Sequence, residues 1–74
     1  MAEQTVSAEI GGTVWKIECG EGANVAEGDP IIVLETMKME IPVPAPAAAT
    51  VVKILVATGD VVEEGQALAI IELA

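Results

Sequence analysis

The chain has 74 residues, with 12 acidic side chains against three lysines and no histidine. A net charge of −9 argues against a nucleic-acid-binding surface, which needs clustered cations. Without histidine there are no Ser-His or Cys-His nucleophile pairs, so we do not expect an enzyme. The lone Cys19 favours a reducing compartment, and no run is long enough to span a membrane. We therefore expect a cytoplasmic protein that does not insert into membranes.

Short aliphatic runs separated by glycine turns dominate the first half of the chain. Trp15 is the only aromatic residue, so the core must consist mainly of branched aliphatic side chains, which favours strands. We predict strands at residues 5–10, 13–19 and 31–36, and a short segment around Val25. Cys19 is expected to be a small, partly buried apolar residue. A reactive thiol is the alternative, although the chain has no histidine or arginine to activate it.

The second half of the chain repeats the first. Residues 2–35 align with residues 39–72 at an offset of 37 without a gap, and 12 of the 34 aligned pairs are identical. The glycine turns recur in both copies, so each copy predicts four short strands. We therefore predict a single all-β domain over residues 1–74. Its eight strands should form a flattened barrel or sandwich with internal pseudo-two-fold symmetry.

Residues 41–50 are rich in alanine and proline, a composition that is typical of an extended linker. The repeat favours a strand instead, because this run aligns with residues 4–13. Its prolines are at every second position, so all the missing N–H groups belong to one edge of the strand. We predict a strand whose proline side is poorly paired.

Six residues, Glu35-Thr36-Met37-Lys38-Met39-Glu40, lie where the two copies join. Apolar runs precede and follow them, which predicts a hairpin with Lys38 at or beside its tip. The tip lacks Asn-Gly or Asp-Gly, so a tight primed turn at Met37-Lys38 would store strain. The repeat places this tip at the opposite end of the domain from Met1 and Ala74.

Two interpretations of this lysine compete. In the first, Lys38 is a solvated turn residue and the methionines fill gaps in the core. In the second, two apolar side chains flank the lysine at an exposed tip because the site is functional, and we favour this one. Lys16 and Lys53 are repeat mates within predicted strands, so we expect both to be solvent-facing structural residues.

The motif Glu-x-Met-Lys-Met resembles the attachment motif of the biotinyl domain family, in which the lysine between two methionines carries biotin. The resemblance continues over nearly the whole chain, through Ala45-Pro46 and the Gly-Asp-x-Val-x-x-Gly turn at residues 59–65. Thr36 departs from the alanine that is usual before Met-Lys-Met. The family fold is a barrel-sandwich hybrid of two four-stranded antiparallel sheets.

The resemblance implies a non-catalytic carrier. A biotin protein ligase would join biotin to Lys38 through an amide bond. A biotin carboxylase would then load a carboxyl group, and a carboxyltransferase or decarboxylase subunit would remove it. The residues implied in recognition by the ligase or other partners are Glu35, Thr36, Met37, Met39 and Glu40. The domain itself is expected to be monomeric.

Two alternatives remain open at this stage. Lipoyl domains share this fold and carry acyl groups, but their turn usually reads Asp-Lys-Ala, whereas both neighbours of Lys38 are methionine. The chain could also be an unmodified hammerhead domain that serves only in assembly.

Overall fold

Eight β-strands account for most of the residues that the computed structural model describes, which are residues 2–74. Their bounds are β1 (Glu3–Ser7), β2 (Gly12–Ile17), β3 (Asn24–Val25), β4 (Pro30–Thr36), β5 (Met39–Pro44), β6 (Ala49–Ile54), β7 (Val61–Val62) and β8 (Ala67–Leu73). No helix that could cross a membrane occurs in this part of the chain.

The strands form two antiparallel four-stranded sheets. Sheet I has the strand order β1-β8-β6-β3, and sheet II has the order β5-β4-β2-β7. The predicted fold class is therefore confirmed. Strands β2, β3 and β4 are offset from β6, β7 and β8 by 37 residues at both ends, which matches the spacing of the sequence repeat.

Each sheet contains two strands from each half of the chain. Sheet I joins β1 and β3 to β6 and β8, and sheet II joins β2 and β4 to β5 and β7. The two copies are therefore intertwined, and neither has a sheet of its own.

The core between the sheets is built from aliphatic side chains of both copies. In β4 the residues Ile31 to Leu34 are all buried, and Ile31, Ile32 and Leu34 belong to the core cluster. The largest side chains that are fully buried are Ile31, Ile32, Leu34, Leu68, Ile71, Val14, Val51 and Val62. No buried polar side chain occurs among residues 2–74. Stability therefore comes from aliphatic burial.

The proline-rich stretch begins as a strand, as predicted. β5 is an edge strand of sheet II and pairs only with β4. Pro42 and Pro44 are exposed, whereas Val43 between them is buried. An edge strand tolerates proline because the missing N–H groups face away from its one partner.

Two strands end earlier than predicted, and the first also begins earlier, at Glu3 instead of Thr5. The first strand ends at Ser7 instead of Ile10, because the register with β8 shifts after Val6 and the chain then leaves the sheet. The second strand ends at Ile17 instead of Cys19. There the N–H groups of Glu18 and Cys19 both donate to the carbonyl of Ile31, which ends the regular ladder.

Cys19 is partly buried and packs against the core, which confirms the sequence-based expectation. Its Sγ donates to the carbonyl oxygen of Pro30 at 3.3 Å. Burial raises the pKa of the Cys19 thiol, and the negative charges of Asp29 and Glu18 raise it further. The thiolate is therefore disfavoured at neutral pH, as expected for a structural cysteine.

The β4–β5 turn and the chain termini lie at different ends of the molecule. The backbone N–H of Leu73 donates to the carbonyl of Ala2 at 2.9 Å. Leu73 pairs with Ala49, which also pairs with Val25. Because Val25 shortly precedes the first residue of β4, this group lies at the start of β4, away from the turn. Met1, which was predicted to lie there, is outside the described residues.

Candidate functional site

The turn between β4 and β5 contains only two residues, Met37 and Lys38. Thr36 pairs with Met39 across the base of the turn. Met37 has φ +47° and Lys38 has φ +66°, and they are the only non-glycine residues with positive φ among residues 2–74. Positive φ at both central residues is the requirement of a primed hairpin turn. For side chains with a Cβ this costs roughly 1–2 kcal/mol per residue, so the turn stores strain, as predicted.

The side chains of the turn extend into solvent. Lys38 is exposed, Met37 is 91% exposed and Met39 is 63% exposed. The methionines therefore fill no gap in the core, and the interpretation of Lys38 as an ordinary turn residue beside core methionines is wrong on this point. An exposed primary amine on a narrow, rigid tip can enter the site of another enzyme and form an amide there.

The other two lysines have different surroundings. The Nζ of Lys16 in β2 lies 3.3 Å from the Oε1 of Glu18, and this is the one ion pair found in residues 2–74. Lys53 is exposed in β6, an inner strand of sheet I. Both side chains project from strands next to register shifts, not from a turn. Their environments agree with the predicted solvent-facing roles.

Glu35 and Glu40 lie directly opposite each other below the turn. Both side chains are exposed, on the face of sheet II that points away from the core. Like charges in directly opposed positions are unfavourable. The pair gives the base of the hairpin a concentrated negative charge, which suits contact with a cationic surface.

Gly12 supports the hairpin from the neighbouring strand, and sequence reasoning missed it. A Cβ at Gly12 would lie 2.7 Å from the carbonyl oxygen of Glu35 and 3.4 Å from the Cβ of Thr36. The backbone of β2 can therefore approach the last two residues of β4 only because residue 12 has no side chain. The signal was present in the repeat, because the mate of Gly12 is Ala49.

The structure brings the predicted residues Glu35, Thr36, Met37, Lys38 and Met39 together with Glu40 on one hairpin. Thr36 is half-buried, and the other five are exposed. Their roles in attachment and recognition remain predictions.

A groove of about 290 Å³ lies between the edge strands β1 and β5. Its walls are mainly aliphatic and proline side chains, and Glu9 is its one ionisable residue. No group of three or more potential metal ligands occurs within residues 2–74. Ser7 and Gln4 are the other polar residues of this groove, and no second ionisable group lies beside Glu9 among its lining residues.

Truncating either methionine should affect function more than folding. We expect Met37→Ala and Met39→Ala to lower the free energy of unfolding by well under the roughly 2–5 kcal/mol typical of a buried Met→Ala change. Urea denaturation measures this, with Leu34→Ala as the buried control because Leu34 is fully buried. A loss at Met37 or Met39 as large as that at Leu34 would contradict the exposed tip.

Comparison with known proteins gives consistent matches over nearly the whole chain. The family model described as "Biotin-requiring enzyme" matches residues 2–71. The biotinylated protein TB7.3 homolog of Mycobacterium leprae is 45% identical over 71 residues, covering 96% of this chain and 99% of the relative. The biotin carboxyl carrier protein of Streptococcus mutans is 39% identical over 67 residues, covering 90% of this chain and 52% of that protein.

The fold also matches a solved structure. A single-chain, multi-domain long-chain acyl-CoA carboxylase contains a region that superimposes with a TM-score of 0.92 at 36% identity. The match covers 97% of this chain but only 7% of the carboxylase. The similarity therefore concerns one domain of that larger protein.

Proposed function

Because the chain belongs to the biotin/lipoyl family of biotin-requiring enzymes, we propose that Lys38 is the residue on which it carries biotin. The chain has a biotin carrier role in biotin-dependent enzymes, and biotin is its covalently attached cofactor. The observation that carries the assignment of Lys38 is the strained two-residue turn, which presents this amine between two exposed methionines.

The residues of the turn fit an amide-linked cofactor. Attachment requires an amine that a ligase can reach. Lys38 projects from the tip of the hairpin and forms no ion pair within residues 2–74. The amine Nζ would attack the activated carboxyl carbon of biotin, lose a proton and release the activating group as the amide forms. The opposing strands β4 and β5 fix the base of the turn, so the position of the lysine Cα is defined while its side chain rotates freely.

When bound, biotin supplies the nitrogen that accepts and releases a carboxyl group. The protein supplies position and reach. Met37 and Met39 offer flexible apolar contacts to whichever site receives the arm. Glu35 and Glu40 add charge at the base of the hairpin, and Thr36 fixes the start of the turn. We assign these five residues to recognition by the ligase and the carboxylase subunits.

The partners in this proposal are a biotin protein ligase, a biotin carboxylase, and a carboxyltransferase or decarboxylase subunit. In this proposal the domain itself is a non-catalytic carrier and acts as a monomer. The cytoplasm is the proposed location because Cys19 is a free thiol and reducing compartments favour such thiols.

Mass analysis and a transfer assay test the function. The chain is co-expressed with a biotin protein ligase, or separately with a lipoate ligase, and its intact mass is measured. We expect the mass of one biotin in the first case and no addition in the second. The biotinylated protein should then accept label from bicarbonate when a biotin carboxylase and ATP are added. A chain that takes lipoate and refuses biotin would contradict the proposal.

A further inference from the structure

One row of outward-facing side chains, three of them exposed and one half-buried, crosses sheet II just below the turn. It contains one residue from each strand, namely Glu40, Glu35, Thr13 and Val61, and we call it the lysine-side row. The next row on the same strands includes the buried residues Leu34, Val14 and Val62, so the lysine-side row faces solvent.

The repeat supplies an internal reference for this row. The equivalent positions in sheet I are Glu3, Glu72, Thr50 and Asn24, paired in the same order. Three of the four residue types are identical, and the fourth changes from asparagine to valine. Val61 is thus the one position at which the row beside Lys38 departs from its copy.

The stability of the fold does not require valine instead of asparagine at position 61. In sheet I the hydroxyl of Thr50 donates to Oδ1 of Asn24 at 2.8 Å. Valine offers no acceptor to the equivalent Thr13, and Val61 remains 76% exposed. The fold accepts a polar residue at this position and makes a hydrogen bond with it. At the lysine end that bond is replaced by an exposed apolar side chain.

The same bias appears at both methionines. Met37, Val61 and Met39 are the three most exposed large hydrophobic side chains among residues 2–74. Their repeat mates are Ala74, Asn24 and Ala2, which are small or polar. Among residues 2–74, the lysine end therefore has exposed apolar side chains at three positions whose repeat mates are small or polar. Exposed apolar groups beside charged ones are typical of a protein contact.

The length of the Lys38 side chain indicates which partner contacts the lysine-side row. The side chain of Lys38 extends about 6 Å from its Cα to Nζ, because its five bonds of roughly 1.5 Å follow a zigzag path. A ligase that bonds to this amine must therefore approach the body of the domain. Enzymes that act on the far end of attached biotin are separated from the domain by about ten further bonds. Val61 lies two strands from Glu35, or about 10 Å across the sheet, within the area that an approaching ligase would cover.

We infer that Val61 is a contact residue for the biotin protein ligase, which reads the lysine-side row with an apolar pocket for Val61 and cationic groups facing Glu35 and Glu40. This inference rests on the proposed function of Lys38. It adds a specificity-determining residue that lies outside the attachment hairpin, on β7, 23 residues further along the chain.

Two matched variants each introduce the residue found at the equivalent position of the other repeat. They are Val61→Asn at the lysine end and Asn24→Val at the other end. Steady-state biotinylation of the unmodified domain by a biotin protein ligase gives KM and kcat. We expect Val61→Asn to raise KM about tenfold with kcat nearly unchanged, because one valine-sized apolar contact is lost. Asn24→Val and the conservative Val61→Ile should keep the parent KM.

The dependence of KM on salt distinguishes the apolar contribution of Val61 from the charged contribution of the glutamates. The rise in KM caused by Val61→Asn should persist at high ionic strength, whereas the effect of Glu35→Gln should shrink as salt screens the charge. Unchanged ligase kinetics in Val61→Asn would overturn the inference. So would a defect that appears only when the fully biotinylated variant meets a biotin carboxylase. If the parent takes no biotin at Lys38, the proposed function itself fails, which is a distinguishable result.

Discussion

Replacing Lys38 with arginine should abolish biotin attachment completely. Arginine keeps the positive charge and most of the length, but its guanidinium stays protonated and does not replace an amine in amide formation. Lys38 is exposed in the β4–β5 turn, so the substitution should leave the fold intact. Intact mass and streptavidin blotting after co-expression with the ligase measure the loss.

The chain contains its own controls for this experiment. Lys16 and Lys53 are the only other basic residues, and both project from strands. Lys16→Arg and Lys53→Arg should be biotinylated as efficiently as the parent. Residual biotin on the Lys38→Arg protein would show that another amine is the attachment site.

Gly12→Val should destabilise the domain and displace the lysine hairpin. A Cβ at this position would lie 2.7 Å from the backbone oxygen of Glu35, so β2 and β4 must separate to accommodate it. Overpacking of this kind typically costs about 1–3 kcal/mol, and valine adds two further carbons. We expect a loss at or above the upper end of this range in urea denaturation, together with slower biotinylation of the molecules that still fold.

Gly20→Ala is the matched control for the backbone. A Cβ at Gly20 meets nothing within 4 Å, and its φ is not positive, so alanine should be neutral or slightly stabilising. Ala49, the repeat mate of Gly12, already shows that a side chain fits at the equivalent place in sheet I. Parent-like stability in Gly12→Val would mean that β2 does not hold the hairpin.

The sequence was most informative about local features. The hairpin at residues 36–39, the exposed methionines and the edge strand containing Pro42 were all predicted, because turns, strand alternation and proline placement depend on neighbouring residues. The 37-residue offset also predicted eight strands and their symmetry, since two copies of one unit fold in the same way.

Contacts between distant segments were not predictable in the same way. The offset says that β2 resembles β6, but it does not say that β2 pairs with β7 from the other copy. The importance of Gly12 and Val61 follows from such pairings, because each acts on a residue far away in the chain. The early end of β1 has a similar origin, since it depends on a register shift against β8.

The intertwined sheets affect when the attachment site can exist during synthesis. β8 lies between β1 and β6 in sheet I, so both of these strands lack a neighbour until residue 73 has been made. The pairing of β1 with β8 joins the two ends of the chain, and non-local pairings of this kind form slowly. The β4–β5 hairpin, by contrast, is local and could fluctuate early without the strands that fix it. A ligase that reads residues on β2 and β7 as well as Lys38 would therefore discriminate against nascent chains, and modification would follow folding.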